Sequence, residues 1–242
     1  MSELIVGTYN MSVKAVKNKP DVVLKNLEQL LKNCHIVGLQ EAGQAQHILT
    51  DKNMAKIGAK IYFGNTPSSR STPIIYRADL RVTAKHCLPL TKRTRVGPRG
   101  AGPSVLKSKD LNVISFFFGG RVINVGNIHT SPSIFIKIRF VLNSRQVKQS
   151  KKHLMKLSGV KILVGDLNQL PDTKLLNWFR NKNRKFKSSQ LLVNVLGTNG
   201  KRGIDDVLFI DAPERIKWVR SYLFNGSSDH KGFISVFNII KS

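Results

Sequence analysis

The chain has 242 residues, 41% of them hydrophobic, so it can bury one sizeable core, and we expect a single domain spanning residues 1–242. Forty lysines and arginines stand against 14 aspartates and glutamates, which gives a formal net charge of +26 at pH 7. Such an excess attracts polyanions, of which nucleic acid is the commonest and an anionic membrane surface the main competitor.

The two cysteines, Cys34 and Cys87, are too few for a disulfide framework and too far apart for a metal-type pair, so we expect both to be reduced core residues. The N-terminal MSELIVGTYN has no basic region followed by a long apolar stretch, and no window approaches the roughly 18 apolar residues of a membrane span. We expect a soluble, intracellular monomer, cytoplasmic or nucleoid-associated, without stable membrane association.

In chain order, LIVGTYN predicts a strand, and the segment opened by Pro20 predicts a helix, because its apolar residues recur at helical spacing. CHIVGLQEA predicts a second buried strand, and 42–57 a helix. From 60 to 127, apolar runs separated by Gly, Pro, Ser or Asp predict paired strands, and Gly119-Gly120 predicts a hairpin turn.

A long polar helix is predicted over about 133–157, with SIFIKIRF as its core-facing start. The strand VKILVGDLN follows, then a short helix near 175–179 and three strands near 204, 216 and 233. This mixture of elements predicts an α/β layered domain with two packed sheets. Two basic loops, TKRTRVGPRGAGPS from Thr91 and RNKNRKFKSS from Arg180, interrupt it, and the first lacks the ending of a phosphate-binding P-loop.

Acids, amides and histidines recur where the apolar runs end. Asp166 and Asn168 end the run KILVGDLN and share one side of the chain, because side chains alternate along a strand with period two. The same pattern places polar residues at the ends of TYN, VGLQE, VGNIH, GIDDVLFI and GSSDHKGF, namely Asn10, Glu41, Asn127, His129, Asp205, Asp229 and His230.

Each position alone has an ordinary structural explanation. Asp166 and Asn168 could cap a helix or form an Asx turn, Glu41 could be a solvated strand end, and His129 a satisfied core histidine. Taken together they offer hard oxygen ligands suited to Mg²⁺ or Mn²⁺, and no His/Cys cluster of zinc spacing is present. A histidine beside a carboxylate could also donate to a phosphate oxygen.

The motifs TYN, LQE, NIH, GDLN, ID and SDH, in this order from Tyr9 to Gly232, resemble the endonuclease/exonuclease/phosphatase superfamily, which includes deoxyribonuclease I and exonuclease III. The resemblance implies an α/β four-layer sandwich, two packed mixed β-sheets flanked by helices, with a metal-dependent phosphoesterase site at one edge.

The resemblance also implies a role for each matching residue. Glu41 would be the principal metal ligand, assisted by Asn10 and Asp229, and Asn10 would also approach the substrate. Asp166 would orient or deprotonate the attacking water, and Asn168 would hold Asp166 and the phosphate. The other three implied catalytic residues are a phosphate-binding histidine, the acid that fixes its tautomer and a histidine near the leaving oxygen, namely His230, Asp205 and His129.

The chain departs from the superfamily pattern in three places. Leu167 replaces a common aromatic residue, and Asp206 follows Asp205, so a slip of one residue between these two acids is possible. No acid lies between Asp51 and Asp79, where deoxyribonuclease I-like enzymes carry the glutamate that pairs with their first histidine, which leaves the role of His129 open.

The charge favours a Mg²⁺-dependent nuclease that acts on DNA rather than RNA. Cations of the two basic loops would contact the phosphate backbone, namely Lys92, Arg93, Arg95, Arg99, Arg184 and Lys185. The alternatives are a phosphatase or lipid phosphodiesterase of the same superfamily, and a nucleic-acid-binding protein without catalysis.

Overall fold

The computed structural model describes residues 1–12, 16, 20–91, 94–96, 104–106, 109–130, 136–168, 186–188, 205–210, 212 and 214–241. Within these residues the helices are α1 (Pro20–Asn33), α2 (Asp51–Lys56) and α3 (Ile136–Met155), with short 3-10 turns at Ala42–Ala45 and Ser69–Ser71. The strands, numbered in chain order, are β1 (Ser2–Asn10), β2 (Ile36–Gln40), β3 (Ala59–Tyr62), β4 (Ile74–Arg77), β5 (Arg81–Thr91), β6 (Thr94–Val96), β7 (Ser104–Leu106), β8 (Lys109–Phe118), β9 (Arg121–His129), β10 (Val160–Asp166), β11 (Phe186–Ser188), β12 (Asp205–Ile210), β13 (Ile216–Phe224) and β14 (Gly232–Ile239).

Most of these strands form two six-stranded mixed sheets. The first sheet has the order β13-β14-β1-β2-β4-β3, with β1 antiparallel to β14 and parallel to β2. The second sheet has the order β11-β12-β10-β9-β8-β5, with β10 parallel to β9 and antiparallel to β12. Strands β6 and β7 pair separately.

Three apolar clusters join the layers. The cluster between the two sheets draws on Val6 and Ile36 from the first sheet and on Phe116 and Val125 from the second. A second cluster packs α1 against the outer face of the first sheet, and a third packs α3 against the outer face of the second. The layers are therefore helix, sheet, sheet, helix, and the predicted four-layer α/β sandwich is confirmed.

Helix α1 follows the sequence pattern closely. Pro20 occupies its first turn, where the missing N–H costs nothing, and Asp21 and Lys32 lie at the ends that the helix dipole favours. Val23, Leu27 and Leu30 are buried against the sheet. The hairpin at Gly119-Gly120 is also confirmed, since both glycines have the positive φ that a tight β8–β9 turn requires.

Several sequence expectations need correction. The helix expected over 42–57 is split into the 3-10 turn and α2, because Thr50 caps a new helix by accepting a hydrogen bond from the backbone N–H of Asn53. Cys87 is half-buried on the edge strand β5, whereas Cys34 lies in the core as expected.

The two segments predicted as basic loops each contain a short strand. The first contains β6 and ends at the first residue of β7, with which β6 pairs, and the second contains β11, which pairs with β12. The helix expected near 175–179 and the first residues of the one expected from 133 lie outside the described residues. In the described part of the chain, no helix is both long enough and apolar enough to cross a membrane.

A buried amide ties the two sheets together. Asn127 on β9 donates from Nδ2 to the backbone oxygens of Leu39, Thr72 and Pro73, and its Oδ1 accepts from Nε2 of Gln40 at 2.7 Å. Both side chains are fully buried. Strand β2 comes so close at this point that a Cβ on Gly38 would lie 2.6 Å from the Asn127 oxygen.

We expect Asn127→Ala to lower the free energy of unfolding by about 3 kcal/mol, because it leaves buried polar groups unpaired. Urea denaturation measures this change. Asn33→Ala on the exposed end of α1 is the control and should cost less than about 0.5 kcal/mol. Equal losses for the two variants would contradict the bridging role of Asn127.

Candidate active site

Strand register places three ionisable side chains in a row at one end of the second sheet. On β10, Asp166 lies opposite His129 of the parallel neighbour β9 and opposite Asp205 of the antiparallel neighbour β12. All three residues are buried. Nε2 of His129 is 3.6 Å from Oδ2 of Asp166.

The turn after β10 holds the Asp166 carboxylate in place. Oδ1 accepts the backbone N–H of Asn168 at 2.8 Å, and Asn168 in turn donates from Nδ2 to the backbone oxygen of Thr130. The preceding Gly165 is required by space, because a Cβ there would lie 1.9 Å from the carbonyl oxygen of Ile128. The GDLN motif is thus a tight junction between β9 and β10.

The first sheet contributes Asn10 and Glu41 to the same edge. Nδ2 of Asn10, at the end of β1, donates to Oδ2 of Asp166 at 3.1 Å and to Oε1 of Glu41 at 3.3 Å. Oδ1 of Asn10 accepts the backbone N–H of Ser12. One buried amide therefore holds carboxylates from both sheets.

Backbone strain is concentrated around this edge. In the described residues, the non-glycine positions with positive φ are Ser12, Glu41 and Asn168, with φ of 53°, 57° and 49°. A left-handed conformation costs a non-glycine residue about 1 kcal/mol or more, and such residues cluster at functional sites. All three positions belong to or adjoin the residues that hold the carboxylates.

His230 approaches from the loop that precedes β14. Its Nδ1 lies 2.8 Å from Oδ2 of Asp205, and its backbone N–H donates to Oγ of Ser228. The loop is also held by β1, because the hydroxyl of Tyr9 accepts a hydrogen bond from the backbone N–H of Ser228. Ligand atoms of Asp166, Asp205 and His230 all lie within 4.8 Å of one another.

Burial and the close charges shift the pKa values of Asp166, His230 and His129. Burial, and after it the charge of Asp205, raise the pKa of Asp166 to about 7 against the opposing influence of His230. Burial by itself lowers the pKa of His230, but the hydrogen bond and charge of Asp205 outweigh it and raise the pKa to about 9. Burial, with the charges of Lys109 and His230, lowers the pKa of His129 well below its ordinary value. At neutral pH, His230 is therefore charged and His129 neutral.

No family model and no curated protein matches the chain. Solved structures match it over nearly its whole length, among them an endonuclease/exonuclease/phosphatase from Bacteroides vulgatus at 13% identity and a TM-score of 0.75, covering 99% of this chain and 100% of that one. The chain has the endonuclease/exonuclease/phosphatase fold. The superfamily resemblance of its motifs is thus confirmed at the level of the fold.

Two further structures with this fold differ in what they bind or act on. D. rerio TDP2, complexed with a single strand DNA product, matches at 14% identity and a TM-score of 0.76, covering 98% of this chain and 100% of that one. The mannosyl-6-phosphatase of Bacteroides thetaiotaomicron matches at 16% identity and a TM-score of 0.73 with the same coverage. At such identities the likeness shows the fold, and the substrate has to be argued from the site.

The structure brings most of the predicted site residues together. Within the endonuclease/exonuclease/phosphatase fold, Asn10, Glu41, His129, Asp166, Asn168, Asp205 and His230 meet at one edge. Of the two neighbouring acids on β12, Asp205 contacts His230, whereas Asp206 bonds to the backbone N–H of Val207. Asp229 is exposed and accepts from the hydroxyl of Ser228.

The predicted substrate-binding cations of the two loops cannot be placed in this site. Arg95 lies on β6, of which only the backbone is described, and the others lie outside the described residues, namely Lys92, Arg93, Arg99, Arg184 and Lys185. Two supporting residues, Tyr9 and Thr130, were not predicted from the sequence. The backbone oxygen of Thr130 accepts from Asn168, and its backbone N–H and hydroxyl donate to the backbone oxygen of Asp166.

The donor set suits a hard cation. Glu41 supplies carboxylate oxygens of the type that Mg²⁺ prefers, and Nδ2 of Asn10 holds that carboxylate at the same edge as Asp166. The cluster of Asp166, Asp205 and His230 is less suitable, because a protonated imidazole has no lone pair to offer a metal. Glu41 therefore fits the predicted ligand role, whereas Asn10, whose Oδ1 accepts the backbone N–H of Ser12, fits the role of holding Glu41 in place.

In the metal-free protein, we expect Asp205→Asn to lower the pKa of His230 from about 9, because the hydrogen bond and charge of Asp205 are the largest causes that raise it while burial lowers it. Histidine signals in an NMR pH titration measure this shift. Asp79→Asn, which changes an exposed acid paired with Arg77, should leave His230 unchanged. An unaltered His230 titration in Asp205→Asn would show that the observed contact does not control its charge.

Proposed function

We propose that the chain is a metal-dependent phosphodiesterase that hydrolyses nucleic acid, DNA in preference to RNA. One observation carries the proposal: the Asp205–His230 pair lies within 4.8 Å of Asp166, and Asp166 shares the amide of Asn10 with Glu41. In this arrangement His230 would be a cationic donor, Asp166 a proton acceptor and Glu41 a metal ligand, all acting on one phosphate.

The charge of each side chain suits it to one role in phosphodiester hydrolysis. His230, held as an imidazolium by Asp205, would donate from Nε2 to an oxygen of the scissile phosphate. Asp166, with a pKa near neutrality, would orient the attacking water and accept its proton. Asn168 fixes that carboxylate through its backbone N–H.

A metal held by Glu41, with Asp229 as a further ligand and Asn10 keeping the Glu41 carboxylate in place, would supply positive charge to the phosphate oxygens. His129 is neutral and beside Asp166, so we propose that it donates a hydrogen bond at the leaving-oxygen side.

The net charge of +26 supports nucleic acid as the substrate, because a polymer of phosphates gains from many cations whereas a small phosphate ester needs few. The TDP2 structure with bound DNA supports the same class. The mannosyl-6-phosphatase structure supports a second candidate, a phosphomonoesterase that acts on a small substrate.

Purified protein should cleave duplex DNA in Mg²⁺ and not in chelator, and both Asp166→Asn and His230→Ala should slow cleavage by about a thousandfold. A gel assay on linear, circular, abasic-site and single-stranded DNA and on RNA measures this. A parallel assay of phosphate release from a sugar phosphate tests the second candidate. Release there without cleavage of any nucleic acid would replace the nuclease proposal with a phosphatase.

Asp205→Asn should reduce the cleavage rate by about a hundredfold, because it removes the charge that keeps His230 protonated. Asp206→Asn is the matched control, since it changes the neighbouring buried acid on β12, which does not contact His230 in the described hydrogen bonds. Thermal unfolding shows that each variant is folded. A larger loss of rate in Asp206→Asn would reverse the assignment of the two acids.

A further inference from the structure

Acidic side chains are distributed differently on the two sides of the sandwich. In the described residues from Arg81 to Ile210, the acids are all buried, with exposures of 6%, 2%, 0% and 2% for Asp110, Asp166, Asp205 and Asp206. The first-sheet side instead carries exposed acids that pair with cations, as in Lys32–Glu28, Arg77–Asp79 and Arg220–Glu3. The described surface of the second sheet therefore has cations without exposed acids among them.

Helix α3 carries the densest described part of this charge. Val147 and Leu154 pack into the cluster on the second sheet, while the opposite side of the helix and the turn after it expose four cations, namely Arg145, Lys148, Lys152 and Lys156. Their spacing of three, four and four residues places them along one stripe of the helix. The charges of Lys156 and Lys152, after burial, lower the pKa of nearby His153.

We infer that this stripe, Arg145 to Lys156, is a docking surface for the phosphate backbone of duplex DNA, separate from the site of hydrolysis. The inference rests on the proposed function for its choice of nucleic acid as partner. From Arg145 to Lys156 the stripe extends about 17 Å at about 1.5 Å per residue, which matches about five base pairs. The contacts are to phosphates, so binding here is independent of base sequence.

The position of the stripe explains how it would work with the active site. Strand β9 ends at the site with His129, α3 leads back along the outer face, and β10 returns to the site at Asp166. The stripe lies in the second half of α3 and at its end, away from the edge where the carboxylates meet. It would retain a long polymer without approaching the scissile bond.

An anionic membrane is the competing partner for a basic helix. Membrane-surface helices insert an apolar side into the lipid, but the apolar side of α3 is occupied by the second sheet. On its described outer side the exposed large apolar residue is Met155, at 37%. The surface therefore favours a hydrated polyanion.

The test compares two variants of the full chain that lose the same charge. The first replaces Arg145, Lys148, Lys152 and Lys156 with Gln. The matched control replaces four exposed lysines of the first-sheet side with Gln, namely Lys25, Lys32, Lys52 and Lys56. Gln has a helix propensity close to that of Lys and Arg, so both variants should fold.

Fluorescence anisotropy with a labelled duplex of about 20 base pairs, in chelator to prevent cleavage, gives the affinity at several salt concentrations. The stripe variant should bind at least about tenfold more weakly, and the log–log salt slope should fall in magnitude by about 3. The control should change the slope by less than about 1. Equal changes of DNA affinity in the two variants, or no change in either, would overturn the inference. A stripe variant that binds DNA as tightly as the wild-type protein but no longer binds phosphatidylserine vesicles would also overturn it.

Two further measurements separate this inference from the proposed function. Hydrolysis of bis-p-nitrophenyl phosphate in Mg²⁺ reports the active site alone and should be equal in the wild-type protein and the stripe variant. If the wild-type protein cleaves no substrate, yet binds DNA more tightly than the stripe variant does, the proposed function is refuted and the docking surface is supported. If the fourfold variant fails to fold, two double variants replace it, Arg145→Gln with Lys148→Gln and Lys152→Gln with Lys156→Gln. Each should lower the magnitude of the log–log salt slope by about half as much as expected for the fourfold variant.

Discussion

The site depends on a single buried amide that holds two carboxylates from different sheets. Nδ2 of Asn10 donates to Asp166 on the second sheet and to Glu41 after the end of β2 in the first. Because one nitrogen donates to both carboxylates, a shift of either sheet relative to the other would break one of the two bonds. The packing of the two sheets therefore controls the geometry of the candidate active site.

The same packing is maintained deeper in the sandwich by a second amide. Asn127 bonds to the backbone of the first sheet and to Gln40, which directly precedes Glu41. A shift between the sheets would break these bonds and also separate Asn10 from Asp166. Stability and site geometry thus depend on one interface, and the strained backbone at Glu41 and Asn168 is supported by it.

Much of the fold could be predicted from local patterns. The buried face of α1 follows from helical spacing, and the β8–β9 hairpin follows from Gly119-Gly120. The split of 42–57 into two short helices was not predicted, because the left-handed Glu41 and the cap at Thr50 depend on tertiary position more than on composition. The short strands β6, β7 and β11 were missed because their segments are dominated by charge, glycine and serine.

The site residues could be found from sequence because they end strands, and strand ends of one layered domain tend to meet at an edge. What the sequence left open was the choice between Asp205 and Asp206, since period two places them on opposite faces without saying which face is inside. Pairing decides it: Asp205 lies opposite Asp166 and next to His230, whereas Asp206 bonds to a backbone N–H.

The scarcity of acids then has a structural explanation. On the second-sheet side each described acid is buried and hydrogen-bonded, Asp110 to the hydroxyls of Thr66 and Ser68 and the others in or beside the site. On this side, the described acids hold a loop or an imidazole in place, and the exposed charged residues of the described surface are cations. The excess of positive charge is therefore uneven over the described surface, because exposed acids lie beside the cations on the first-sheet side.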